Sequence, residues 1–355
     1  MNIKEFPTTR YQGSKRKILD WLYENLREIE FNTVLDGFGG TGLCSYLFKK
    51  MDKSVTYNDY LRFNSIIGRA IIENQTVNLT DEEVNFVLYN RQNENRFIEL
   101  NFDNIYYTQI ENQWLDSIIQ NIEHIDGPAN EIEYKKSLCY YALFQACLRK
   151  RPFNLFHRKN LYIRTNDVER NFGNKTTWEK GFESEFRHFV AEANRIVFNS
   201  NTNCNVLNQS IFDIENEDVY DLVYLDPPYV SGTSTNETSD YLRCYHFLEG
   251  ISNYERWHEL IDYNSINLRF KSDVAPNQFN KENIHNSLDL LFSKFQNSII
   301  VLSYKIGGIP SIEEIETLMR NYKDDVVTIS KHYKYALNKQ NGNAAYNREV
   351  IIIGR

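Results

Sequence analysis

The sequence predicts a mixed α/β sheet domain interrupted by a mainly helical insertion, and three observations predict it. Short apolar runs occur near both ends of the chain. A glycine-rich turn joins an apparent strand to an apparent helix. Residues 61–197 are polar and aromatic at helical spacing, without strand alternation. Four-residue apolar runs suit strands buried on both faces, because a half-exposed strand would alternate.

Taken in order, residues 17–28 place Ile18, Trp21, Leu22 and Leu26 at helical spacing. Residues 31–36 read as a strand running into glycines, residues 43–50 as the next helix, and residues 54–59 as a second strand ending in a carboxylate. After the helical stretch, strands are expected at residues 204–207, 222–225, 298–302 and 349–353. The expected division is one sheet domain formed by residues 1–60 and 205–355, with residues 61–204 inserted.

The 355 residues are 41% hydrophobic and 14% aromatic, enough for a real core, which excludes wholesale disorder. Apolar runs fall far short of the ~20 residues that cross a bilayer, and the first residues lack the apolar segment of a secretory signal. A cytoplasmic protein away from membranes is expected. Five cysteines, with no C-x-x-C pair, predict neither a disulfide framework nor a zinc site, and no metal is expected. The net charge of −8 disfavours a surface that is basic throughout and leaves room for a local basic face.

Asp36-Gly37-Phe38-Gly39-Gly40-Thr41-Gly42 lies between a strand and a helix, where glycines let backbone amides approach a ligand. Asp59 ends the next strand, the position from which a carboxylate accepts hydrogen bonds from both ribose hydroxyls. The competing reading of Asp59 is a cap for the helix beginning near Leu61. The loop lacks the spacing of a nucleoside-triphosphate P-loop. A second informative stretch is Asp226-Pro227-Pro228-Tyr229, which follows a strand. Two prolines stiffen the turn and leave their carbonyls free to accept. Asp226 and the Pro227 carbonyl are then placed to accept hydrogen bonds from one exocyclic NH₂, with Tyr229 lying against the attached base.

The order of these motifs resembles the adenine-N6 DNA methyltransferases of the Dam-like alpha class. Tyr11-Gln12-Gly13-Ser14-Lys15 is similar to that family's first motif, with Ser14 for the second glycine. Residues 36–42 resemble its glycine loop with Gly37 where proline is usual, and Asn58-Asp59-Tyr60 resembles its strand-two element. Asp226-Pro227-Pro228-Tyr229 matches its catalytic motif without change. The resemblance implies a Rossmann-like S-adenosylmethionine-dependent domain with an inserted target-recognition domain, acting on N6 of a flipped-out adenine in double-stranded DNA. It implies Asp226, Pro227 and Tyr229 as catalytic residues. It implies Tyr11, Lys15, Asp36, Phe38, Gly40, Gly42, Asp59 and Asp226 as the S-adenosyl-L-methionine site. For the cofactor's adenine, Ser210 and Asp213 are both candidates.

Residues 149–164 hold six Arg or Lys and no acid, interleaved with aromatics. Such cations neutralise phosphates, while Arg and Asn can read base edges. Asn154, Arg158 and Asn160 keep the spacing of the family's DNA-contacting hairpin, and Phe172-Gly173 resembles its Phe-Gly turn. Lys150 and Lys159 are expected at phosphates and Arg158 at a base, because a guanidinium can donate twice to a guanine edge. A solvated basic face is the competing reading. The polar residues 231–240 are expected to form a loop over the target base, and Tyr241 to Phe247 to wall the base pocket or to lie in the core. A restriction-modification context with a cognate endonuclease is the expected setting. The rivals are cytosine-N4 methylation, which a Ser in place of Asp226 would favour, methylation of RNA or of a protein glutamine, and a silent DNA-binding subunit.

Overall fold

Seven strands build the sheet: β1 (Thr33–Asp36), β2 (Ser54–Asn58), β3 (Cys204–Leu207), β4 (Leu222–Leu225), β5 (Ile299–Lys305), β6 (Val326–His332) and β7 (Arg348–Gly354). Their spatial order is β3-β2-β1-β4-β5-β7-β6. β1 to β5 pair parallel, and β7 runs antiparallel between β5 and β6. The structure is a computed structural model that describes residues 5–8, 11–90, 94–152, 154–166, 178–215, 217–231, 240–274, 277–332 and 348–355. Residues 167–177, with Phe172-Gly173, and most of 231–240 lie outside the described residues.

The apolar runs alternate between two cores. Val34, Leu222, Tyr224, Val301, Ile351 and Ile353 face one cluster, while Leu35, Val223, Leu225, Ile300, Leu302 and Ile352 face the other. Burial on both sides is why these strands lack polar alternation. β6 escaped the sequence reading although it opens on Val326, Val327 and Ile329; it is a sheet edge whose described residues are half-buried or exposed. The helix expected over residues 17–28 is a 3₁₀ turn (Lys15–Ile18) followed by α1 (Leu19–Leu26), and α2 spans Leu43–Lys50 as expected.

Between β2 and β3 the chain is helical: α3 (Arg62–Gly68), α4 (Asp81–Tyr89), α5 (Gln109–Glu123), α6 (Ile132–Arg149) and α7 (Phe182–Ile196) are its main elements. α3 continues into a π turn over Arg69–Glu73 and packs as a layer of the sheet. Gly68 lies so close to the Tyr57 ring that a Cβ there would meet it at 2.8 Å, and Glu73 accepts the Val206 N–H of β3 at 3.2 Å. Leu115, Leu138 and Phe186 of the later helices share one cluster with Val34 and Tyr224 of the sheet. The helical segment therefore shares its core with one face of the sheet. After β4 come α8 (Tyr241–Ser252), α9 (Ile284–Lys294) and α10 (Ile312–Met319). Among the described residues no helix is long and apolar enough to cross a membrane.

Candidate active site

A cavity of about 380 Å³ opens at the C-terminal ends of β1, β2, β3 and β4. Ligands bind at that edge in open α/β sheets because loops there diverge and helix N-termini point inward. The glycine loop forms its floor. Gly42 caps α2 at φ 74°, and Gly40 sits at φ 50°. Gly39 is held against the buried Tyr57 ring, which a Cβ would meet at 2.1 Å, so residue 39 can carry no side chain. Tyr57 in turn donates its hydroxyl hydrogen to the carbonyls of Gly40 and Asn64, at 2.7 and 2.9 Å.

Carboxylates ring this floor. Asp59 accepts the Gly40 N–H at 2.9 Å through Oδ2 and the Leu61 N–H at 2.8 Å through Oδ1. It thus ties the glycine loop to the entrance of α3 and also lines the cavity. Asp36 accepts the Ser45 hydroxyl at 2.7 Å through Oδ2, while its Oδ1 has no partner among the described residues. Burial pushes Asp36 up to about 7 and Asp59 up to about 6, since a low-dielectric site penalises the charged form. Ser14 Oγ and Asn58 Oδ1 are likewise buried, unpartnered among the described residues, and on cavity-lining residues.

Asp226 leaves β4 at the cavity rim. Its Oδ1 lies 3.0 Å from Lys15 Nζ and accepts the Tyr229 hydroxyl at 2.8 Å. Lys15 is 5% exposed and also lies 3.6 Å from Glu349 of β7, which is 3% exposed. Burial raises the Asp226 carboxyl above its usual range, opposed by Lys15 and reinforced by Glu349. Pro228 lines the cavity, whereas Pro227 and Tyr229 stand outside its lining. The Tyr229 hydroxyl faces Lys15, Asp226, Ser303 and Glu349, and Lys15 Nζ sits 4.7 Å from the ring centroid.

Of the expected cofactor residues, Tyr11, Lys15, Asp36, Phe38, Gly40, Asp59 and Asp226 line the cavity, and Gly42 adjoins it at the start of α2. Ser210 and Asp213 both line it. Tyr241 lines it as well, but Tyr245 and Phe247 are core, with Tyr245 stacked on Tyr11 at 4.4 Å. Glu349, Ser303 and the Asn277-Gln278-Phe279 wall were missed. Glu349 and Ser303 sit within strands whose apolar pattern hides them, and residues 277–279 carry no motif.

The basic segment divides in two. Arg158 and Lys159 are exposed, and Asn154 is half-exposed in the left-handed region at φ 56°, which asparagine tolerates. Lys150 and Asn160 are buried at 4% and 5% exposure. Lys150 donates to the carbonyls of Trp178 and Lys180 and pairs with Glu111 at 2.9 Å. The expectation of Lys150 at a phosphate is therefore corrected: its ammonium is a strut between helices. Arg151 is fully buried, donates to the Leu155 and Arg158 carbonyls and so shapes the exposed loop from within.

A mixed seven-stranded sheet in this order, with a glycine-loop cavity and an Asp-Pro-Pro-Tyr turn at its rim, is consistent with a methyltransferase fold. Comparison with known proteins resolves the class. The D12 class N6 adenine-specific DNA methyltransferase family matches residues 11–298, and the chain belongs to that family. It is 30% identical over 241 residues to the Type II methyltransferase M2.HphI of Haemophilus parahaemolyticus, covering 66% of this chain and 69% of that one. It is 25% identical to the Type II methyltransferase M.FokI of Planomicrobium okeanokoites over 88% of this chain. It is 22% identical to the modification methylase StsI of Streptococcus sanguinis over 96% of this chain. It spans about half the length of those last two relatives, 47% and 50%.

Proposed function

We propose that this chain transfers the methyl group of S-adenosylmethionine to N6 of an adenine extruded from duplex DNA at a specific site. The observation that carries the reading is Asp226, held through Oδ1 by Lys15 and Tyr229 at the rim of the glycine-loop cavity.

The cavity fits the cofactor in size and in chemistry. Its volume falls in the range of small-ligand sites. Among the described residues Asp36 Oδ1 and Asn58 Oδ1 are unpartnered acceptors, which suits a ligand that brings N–H or O–H donors. Burial raises the Asp36 and Asp59 carboxyls, and an ammonium or a sulfonium placed beside them favours their charged forms. Asp59 takes the ribose hydroxyls with its remaining lone pairs, Ser210 or Asp213 the adenine, and Tyr11 and Lys15 close the far side.

When bound, S-adenosylmethionine would supply a sulfonium-activated methyl group, its sulfur leaving as a neutral thioether as the S–C bond breaks and a bond to the attacking nitrogen forms. A base inside a duplex cannot reach that position and must leave the stack. Asp226 and the Pro227 carbonyl accept the two N6 hydrogens, which aims the nitrogen lone pair and stabilises the positive charge that develops on nitrogen. The Tyr229 ring, anchored by its hydroxyl, offers a face to the extruded base, recovering about 1–3 kcal/mol of stacking.

The helical segment within residues 61–204 serves target recognition, with Arg158, Lys159 and Asn154 presented to DNA. The Type II relatives favour a modification enzyme paired with a cognate endonuclease, acting in the cytoplasm where the DNA lies. Transfer of a tritiated methyl group to duplexes with and without adenine tests the reading. Label in the adenine-containing duplex alone supports it, and label in the adenine-free duplex contradicts it.

A further inference from the structure

The catalytic turn is braced from a strand that the sequence motifs do not include. Glu349, the second residue of the antiparallel β7, lies opposite Lys305 of β5. It lies 3.6 Å from Lys15 Nζ and accepts the Tyr229 hydroxyl at 3.3 Å. Ser303, on β5 and fully buried, lies 3.2 Å from the same hydroxyl. One ammonium and one phenol are thus shared between the buried Glu349 carboxylate and the partly exposed Asp226 carboxylate. Burying a second carboxylate beside the first is costly, and a pair that needs one cation would be better served without it. Among the described residues, every hydrogen bond and ion pair to Asp226 ends on Oδ1.

We infer that Glu349 is a positioning residue of the methyl transfer: it holds the Lys15 ammonium and the Tyr229 hydroxyl on Asp226 Oδ1, leaving Oδ2 for the target amine. This rests on the reading of Asp226 as the acceptor of the amine. Glu349 also keeps Lys15 from neutralising Asp226 alone, so Asp226 remains a strong acceptor. The sign follows from the charges around it. Glu349 raises the Asp226 carboxyl and Lys15 lowers it. Asp36, Tyr224, Tyr241 and Cys44 also interact with Asp226. Lys305 faces Glu349. A substitution at Glu349 leaves those groups in place, so Glu349→Gln lets the Asp226 carboxyl fall.

The test uses the full chain, S-adenosylmethionine and long duplex DNA, with Asp226→Asn measured beside Glu349→Gln. The expected result is an inactive Asp226→Asn. Glu349→Gln should lose about 10- to 100-fold in kcat, the scale set by a misplacement of about 1 Å. Its KM for the cofactor should stay within about threefold, and the acid limb of its kcat profile should move to lower pH. A Glu349→Gln with wild-type kcat and an unmoved acid limb overturns the inference while leaving Asp226 catalytic. An active Asp226→Asn overturns the underlying reading as well. If Glu349→Gln melts far below the wild type, Glu349→Asp replaces it, since it keeps the charge and withdraws it by one methylene. Reduced kcat with the acid limb in place then supports the positioning role, and wild-type kcat overturns it.

Discussion

Replacing Lys15 by methionine removes the ammonium that lies between Asp226 and Glu349, at 3.0 and 3.6 Å. Methionine keeps the length of the apolar stem, so the loss is electrostatic. Deleting one partner of a buried ion pair costs about 3–5 kcal/mol, because the other charge stays buried without compensation. At about 2 °C per kcal/mol for a large domain, the melting temperature falls by ~6–10 °C. The deficit depends on pH. Asp226 already sits above its usual range, and without Lys15 it rises further. An acid raised on folding contributes stability below its unfolded value and loses it as pH rises through the folded value. The deficit of Lys15→Met is therefore smallest at low pH, where Asp226 is protonated, and grows as the pH rises and Asp226 ionises. The acid limb of kcat moves upward, opposite to Glu349→Gln. Thermal melts and turnover as functions of pH check both. A melting temperature within about 1 °C of wild type at every pH would refute the shared-cation geometry.

Asp59→Ala removes a charged acceptor, each of whose hydrogen bonds is worth about 1.5–3 kcal/mol, so cofactor affinity should fall by tenfold or more in calorimetry. Unchanged affinity would leave Asp59 as the cap of Leu61 alone. Asp36 titrates near 7 because of burial, so the cofactor-free protein should lose stability from about pH 6 to 8. Asp36→Asn should lose less over that range, and parallel curves would contradict the assignment. Lys159→Ala should weaken binding equally on all duplexes and flatten the salt dependence by about one unit. Arg158→Ala should cost about 1–3 kcal/mol on the cognate site only. Equal losses on cognate and scrambled duplexes would remove Arg158 from base reading.

The sheet was legible in its central strands, where burial on both faces leaves an apolar run, and at the partly buried edge strand β3. Cys204–Leu207 and Leu222–Leu225 fall at their expected bounds because each is a compact run flanked by polar residues. Edge strand β6 was not read as a strand despite its Val326-Val327-Thr328-Ile329 start. The cavity was legible through Gly40, Asp59 and Asp226, whose chemistry is tied to local turns. Glu349 was not, because its role depends on β7 reaching Lys15 across more than three hundred residues of chain. The basic run misled for a related reason. A count of cations carries no direction, and Lys150 and Arg151 turn inward to carbonyls and aromatic rings while Arg158 and Lys159 turn out.

The most direct test of the central claim is the identity of the methylated nucleoside. Duplex DNA methylated by the full chain is digested to nucleosides and resolved by mass spectrometry, with Asp226→Asn treated in parallel. The expected product is N6-methyldeoxyadenosine with the wild type and none with Asp226→Asn. N4-methyldeoxycytidine from the wild type, or N6-methyldeoxyadenosine from Asp226→Asn at a comparable rate, would contradict Asp226 as the acceptor that aims the adenine amine.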